Sequence, residues 1–323
     1  MIPVADPAEL GEHVAAFTEH GFVHFRSVFS PAQVEIFHQL YERAVADWRF
    51  ANGTDDHPGA VGGLLERFPR EVYPALTDPV LLGFTEAVMG PFVQLDSSVL
   101  NGDPPVSAEQ HGQPVMWHRD RSGSVPPGVY VRPASIVFLS YLQQMTDAVG
   151  PLRVVPGSHR QSRLLSDDEL HVPLSAEILV RAEAGDVVAT HHNLLHSGTR
   201  NTSDRERRFF GFIYNLSILR QEDNFAGSNC RAFVESAKRT NDRRLMRLLG
   251  EDPLIFPRQN SGFTDDAERD WKRWHEEDAE FAHEAADAAT RSHWVRAALA
   301  APSNAMSVTP QAPGPRPRGP LSA

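Results

Sequence analysis

Two stretches near the start of the chain carry apolar residues at helical spacing. Leu10, Val14 and Phe17 follow Asp6-Pro7 and precede Gly21, which predicts a helix of about three turns closed by a glycine cap. Phe22-Val23-His24-Phe25 then reads as a short strand. Ser30-Pro31, an N-cap followed by a first-turn proline, opens a second stripe through Val34, Phe37, Leu40, Tyr41 and Val45 that runs to about Phe50. The stretch from Asn52 to Gly63 is rich in Gly, Asp and Pro and is expected to be a surface loop.

From about Phe92 to Leu219 the period changes. Short apolar runs at Ser135–Leu142, Leu152–Val155, Ile178–Val180, Asp186–Thr190 and Phe209–Leu216 are separated by Gly, Pro and Asn, the pattern of a sandwich or barrel of short strands. Thr264–Ala300 returns to helical composition, with Trp271, Trp274, Phe281 and Trp294 among acidic and Ala residues, and predicts one or two outer helices. After Ala301 large apolar side chains almost vanish, so burial cannot offset ordering entropy and residues 301–323 are expected to be a disordered tail. The expected organisation is one catalytic domain over 1–300, with a helical N-terminal part over 1–90, a β core over 91–220 and C-terminal helices over 221–300.

Composition narrows the function without naming it. Hydrophobic residues at 41% and charged residues at 23% are ordinary for a soluble globular protein. The excess of 42 Asp+Glu over 31 Lys+Arg gives a net charge of -11, which repels a phosphate backbone and argues against nucleic acid as partner. No apolar run approaches the roughly 20 residues of a membrane span. Met1–Gly11 lacks the basic start and apolar core of a secretory signal, so a cytoplasmic protein without a membrane partner is expected. Cys230 is the only cysteine, which excludes an intrachain disulfide framework and a thiolate cluster. Any metal must be held by nitrogen and oxygen.

Trp117-His118-Arg119-Asp120 offers such donors. On a strand, positions i and i+2 share a face at roughly 6.6 Å, so His118 and Asp120 can converge on one ion while Arg119 points away. A second imidazole would complete a 2-His-1-carboxylate face with open positions opposite, the arrangement of non-haem Fe(II) oxygenases. An isolated His-x-Asp also arises by chance on surfaces. His196 is a candidate third donor, with His191 and His192 close by. On a regular strand His192, Leu194 and His196 share a face, so periodicity alone does not separate them.

Over about residues 8 to 220 the chain resembles the phytanoyl-CoA dioxygenase superfamily. The resemblance rests on Trp117-His118-Arg119-Asp120, on Gly150-Pro151-Leu152-Arg153-Val154-Val155-Pro156-Gly157-Ser158-His159, and on Gly185-Asp186-Val187-Val188 running into His196-Ser197-Gly198 with Asn201, Ser203 and Arg207. The opening from Phe17 through Gly21-Phe22-Val23 to Ser30-Pro31 matches as well. Three blocks in the correct order are far more specific than any one of them.

The resemblance implies a mainly β fold with flanking helices, built on a double-stranded β-helix of jelly-roll, cupin-like form with the metal inside one open end. It makes His118, Asp120 and His196 the ligands of Fe(II), and 2-oxoglutarate and O2 the co-substrates, converted to succinate and CO2 as a small molecule is oxidised. Arg207, eleven residues after His196, matches the arginine that pairs with the far carboxylate of 2-oxoglutarate. Its neighbours Arg205 and Arg208 read as solvated charges around a strand entry. Asn101 and Thr190 fall where the family often has polar contacts to the co-substrate, and each also reads as an ordinary turn or strand residue. Asp120 favours hydroxylation, because family halogenases lack this carboxylate. Desaturation or ring closure on the same core, a cupin-like metalloenzyme without 2-oxoglutarate, and a non-enzymatic iron-binding member are the alternatives.

Gly150–His159 reads as architecture, with Ser158 closing a loop and His159 outside the metal set. The chain departs from the family at Asp103, in Asn101-Gly102-Asp103-Pro104-Pro105, where members often carry Lys before a Pro pair, and at the Pro- and Gly-rich Arg121–Pro133. That loop, Trp117 and the aromatics of Phe209–Tyr214 are the expected pocket residues, and no particular substrate is carried over.

Overall fold

The computed structural model describes residues 7–120, 133–161, 163–255, 272–274 and 276. In chain order the elements are α1 (Pro7–His20), β1 (Phe22–Phe25), α2 (Pro31–Asn52), β2 (Ala60–Gly62), α3 (Leu64–Arg67), α4 (Pro69–Leu76), α5 (Pro79–Met89) and the long strand β3 (Val93–Asp103). They continue with β4 (Ser135–Tyr141), β5 (Leu152–Val154), β6 (Ile178–Val180), β7 (Val187–His191), β8 (His196–Gly198), β9 (Arg207–Leu216), α6 (Ser228–Thr240) and α7 (Arg243–Leu248). Most of the loop 121–133, most of the helical stretch expected over Thr264–Ala300, and the tail from 301 lie outside the described residues. No helix among the described residues is long and apolar enough to cross a membrane.

The helix boundaries follow local chemistry. Ser30 accepts from the Gln33 N–H while the Gln33 side chain returns to the Ser30 N–H, a capping box that starts α2. Gly21 ends α1 at φ 82°, donating to the Phe17 carbonyl at 2.8 Å. One expectation fails here: β2 forms inside the stretch read as a loop. Val61 is buried, and Ala60–Gly62 pairs with Val99–Asn101 on β3, a long-range partner that outweighs the turn-forming composition.

Among the described residues, six strands form one sheet in the order β1-β7-β4-β9-β3-β2, and three form a second in the order β6-β5-β8. Every pairing is antiparallel. The period-2 alternation of β4 and β9 sorts side chains to two sides. Ile136, Phe138, Phe210, Phe212 and Tyr214 enter the large core beneath the helices, where Phe37 stacks on Phe210 and Phe138 on Phe212 at 4.8 and 5.0 Å between ring centroids. Leu139, Tyr141 and Phe209 fall on the other face, in a smaller apolar cluster with Leu152 and Val154 of the three-stranded sheet. The inner face between the sheets is therefore where a site can open.

Candidate metal centre

His118 is not on a regular strand, contrary to the expectation for Trp117–Asp120. It forms an isolated antiparallel bridge with His196, the first residue of β8, and Asp120 lies in a turn just beyond. The cause is visible at Arg119. Its guanidinium is drawn to the carbonyls of Ser158 (2.9 Å), Asn193, Gln161 and Arg163, which turns the backbone out of the ladder. The carboxylate thus reaches the imidazoles by a turn and not by strand alternation.

The His118 and His196 Nε2 atoms each lie 3.6 Å from Oδ1 of Asp120, and one donor atom from each residue lies within 4.8 Å of the others. Both Nδ1 atoms face backbone carbonyls, of Met116 and Leu194 respectively, each at 3.0 Å. That contact places the proton on Nδ1 and leaves the Nε2 lone pair for a metal. Donors on one octahedral ion at bonds of about 2.1 Å sit about 3 Å apart when adjacent, so small side-chain rotations suffice. The donor set fits a divalent ion of the Fe(II) kind. Side-chain exposure falls from 42% at His118 through 22% at Asp120 to 7% at His196, so access is from the His118 side.

The electrostatics reflect three interacting groups. Burial pushes the Asp120 carboxyl up, but His196, His118 and His192 outweigh it and the net shift is downward. The hydrogen bond to Asp120 raises His118 against its burial. Burial lowers His196, with Asp120 opposing.

His191 and His192 stand apart from the donors. They stack on each other at 4.5 Å, His192 Nδ1 faces the Ser135 carbonyl at 3.1 Å, and His191 packs against His159 at 4.9 Å. Among the described residues the one group of three that could hold an ion is His118, Asp120 and His196. His159 is buried in a short turn with Nε2 on the Thr18 carbonyl, and Ser158 closes its loop by accepting the Leu195 N–H at 2.9 Å.

Arg207 begins β9 on the inner face, buried, with its guanidinium beside Gly198. Arg205 is exposed, and Arg208 pairs with Glu42 and Glu206 while lying over the Tyr41 ring. Asn101 lies opposite Phe209, and Thr190 opposite Val137, so both belong to the inner face. Trp117 is core: its indole donates to the Val172 carbonyl, and it packs with Val155, Leu174 and Leu195. Sequence alone does not bring Asp103 to Arg207. The aspartate departs from the resemblance in sequence, but its pairing with Arg207 depends on a strand register that no local signal encodes.

Residues 17–209 match the phytanoyl-CoA dioxygenase (PhyH) family. The chain is 27% identical over 164 residues to an L-proline trans-4-hydroxylase of Streptomyces griseoviridis, a match covering 42% of this chain and 60% of that protein, less than two thirds of its length. Among solved structures it is similar to EctD from S. alaskensis with bound Fe, at 22% identity and TM-score 0.51 over 66% of this chain and 78% of that one. HygX from Streptomyces hygroscopicus with nickel and 2-oxoglutarate bound matches at 18% identity and TM-score 0.51, covering 65% and 88%. The epimerase SnoN in complex with Fe3+, alpha-ketoglutarate and nogalamycin RO matches at 18% and 0.51, covering 66% and 85%. These likenesses show the fold, a double-stranded β-helix with flanking helices. The family match takes in all three donors and the whole small sheet, and the chain belongs to the phytanoyl-CoA dioxygenase family.

Proposed function

We propose that this protein is an Fe(II)- and 2-oxoglutarate-dependent oxygenase that hydroxylates a small metabolite or natural-product intermediate. The observation that carries the reading is the convergence of two Nε2 lone pairs and one carboxylate, each imidazole tied back through Nδ1 to a backbone carbonyl.

When bound, iron and the keto acid supply O2 activation coupled to oxidative decarboxylation. The chain supplies the rest. His118, Asp120 and His196 would hold the ion, as two imidazole nitrogens and one carboxylate oxygen. Arg207 provides a planar cation for a distal carboxylate on the inner face. Trp117 and Leu195, the neighbours of His118 and His196 in sequence, anchor those positions in a buried apolar cluster with Val155 and Leu174. Asn101 and Thr190 offer polar atoms on the sheet below.

The test is anaerobic titration with Fe(II) and then 2-oxoglutarate, followed by a substrate screen by mass. The reading expects a metal-to-ligand absorption band that needs both components, iron-dependent succinate release, and a product heavier by one oxygen. Loss of two hydrogens would indicate desaturation or ring closure instead. Metal binding with no response to 2-oxoglutarate would overturn the reading.

A further inference from the structure

Asp103 and Arg207 are the last pair in the β3–β9 register and stand directly opposite each other. The guanidinium lies against Gly198, where a Cβ would come within 3.0 Å of Nη2. Gly198 is two residues along β8 from His196, roughly 6.6 Å of strand. Nη1 donates to the carbonyls of Gly150 at 2.5 Å and Thr199 at 2.7 Å. Nε and Nη2 both donate to one oxygen, Oδ2 of Asp103, at 3.0 and 2.6 Å. Backbone therefore anchors one end of the guanidinium, and the edge suited to a carboxylate already holds one.

The two partners differ in freedom. The Arg207 side chain is 6% exposed and the Asp103 side chain 46%. Asp103 ends its strand and is followed by Pro104-Pro105, so rotating its carboxylate into water breaks no ladder bond. Both donors sharing a single oxygen is also a poorer match than the two parallel bonds a free carboxylate can make.

We infer that Asp103 is an internal carboxylate seated on Arg207, displaced by the distal carboxylate of an incoming dicarboxylic keto acid, so that Asp103 sets the affinity for that co-substrate. The inference rests on the reading of the site as a keto-acid centre. It makes Asp103 a competitor and not a support.

The experiment measures binding to the full-length chain loaded with Fe(II) or Mn(II) under anaerobic conditions. The probes are 2-oxoglutarate and 2-oxopentanoate, which keeps the keto-acid head and lacks the distal carboxylate. Asp103→Asn and Asp103→Ser are expected to tighten 2-oxoglutarate by at least roughly three-fold and leave 2-oxopentanoate unchanged, while Asp103→Glu stays near the parent. Thermal melts identify which neutral variant is folded, and either one suffices. Unchanged or weaker 2-oxoglutarate binding in a folded neutral variant overturns the inference and makes Asp103 a brace for Arg207. If metal binds but neither keto acid binds any form, the keto-acid reading itself falls; if the parent binds both probes and the variants do not differ, the inference alone falls.

Discussion

His118 and His196 exchange both backbone hydrogen bonds, at 2.9 and 3.0 Å, so their imidazoles leave the chain side by side with centroids 4.3 Å apart. The two imidazoles are thus fixed relative to each other before any ion arrives. Asp120, in the turn that follows, is the donor that depends most on its surroundings.

Asp120→Asn is expected to lower Mn(II) or Fe(II) affinity at least as much as the loss of an outer partner does, about 10- to 100-fold or more. The hydrogen bond to Asp120 raises His118 above the ordinary imidazole range, so in the metal-free protein acid protonates it earlier than a free imidazole. That proton must leave as the ion enters, so affinity falls by about ten-fold per pH unit below the raised His118 value. Calorimetry across pH checks both effects; flat affinity would remove His118 from the donor set.

Stability of the metal-free protein should drop on the acid side. Burial, then the charges of His192, His159 and Arg119, lowers His191 from 6.5 to about 2. Below 6.5 the unfolded chain binds a proton that the folded protein refuses. The stability is present above that value and is lost as pH falls toward 2, at up to about 1.4 kcal/mol per unit. His159 and His196, also lowered by burial, act in the same direction; His118, raised by Asp120, stabilises below 6.5 and opposes them. Urea unfolding from about pH 7 to about pH 5 should show the net loss, with a shallower slope in His191→Asn.

Two glycines separate backbone strain from crowding. Gly150 has φ 95°, and a Cβ there would meet the Thr199 carbonyl and come within 2.9 Å of Arg207 Nη1. Gly112 has φ 72° with nothing within 4 Å. Gly112→Ala is expected to cost about 1–2 kcal/mol and Gly150→Ala about 2–5 kcal/mol, because only the second adds overpacking. Equal costs in chemical denaturation would show that Gly150 serves conformation alone.

Arg119→Ala should loosen the turn that carries Asp120, since four carbonyls lose a shared donor. The expected loss is about 1–3 kcal/mol of unfolding free energy, with weaker metal binding and only partial recovery in Arg119→Lys. Unaltered metal affinity in a destabilised Arg119→Ala would confine the residue to the 158–163 loop.

What could be read in advance was mostly local. Ser30 and Gln33 cap α2 within one turn, and Gly21 closes α1 by its own backbone freedom, so four or five adjacent residues carry the signal. The short apolar runs of β4, β5, β6 and β9 announced strands by composition. Pairing was another matter. Val61 belongs to β2 because β3 lies beside it, and Asp103 meets Arg207 because the register of β3 and β9 ends there. His191, His192 and His196 share one short stretch, and only the fold sends the first two into a stacked pair and the third to the bridge with His118. Trp117–Asp120 carries the local pattern of a strand, and the contacts that hold Arg119 elsewhere lie some forty and seventy residues later, at Ser158 and Asn193.

The outermost strands of the larger sheet are its shortest, four residues in β1 and three in β2. A row of unpaired amides and carbonyls is what lets a foreign strand add to a sheet and spread into aggregates. Here each border ends before such a row becomes long enough to template another chain, so self-association of these strands is blunted by the lengths themselves.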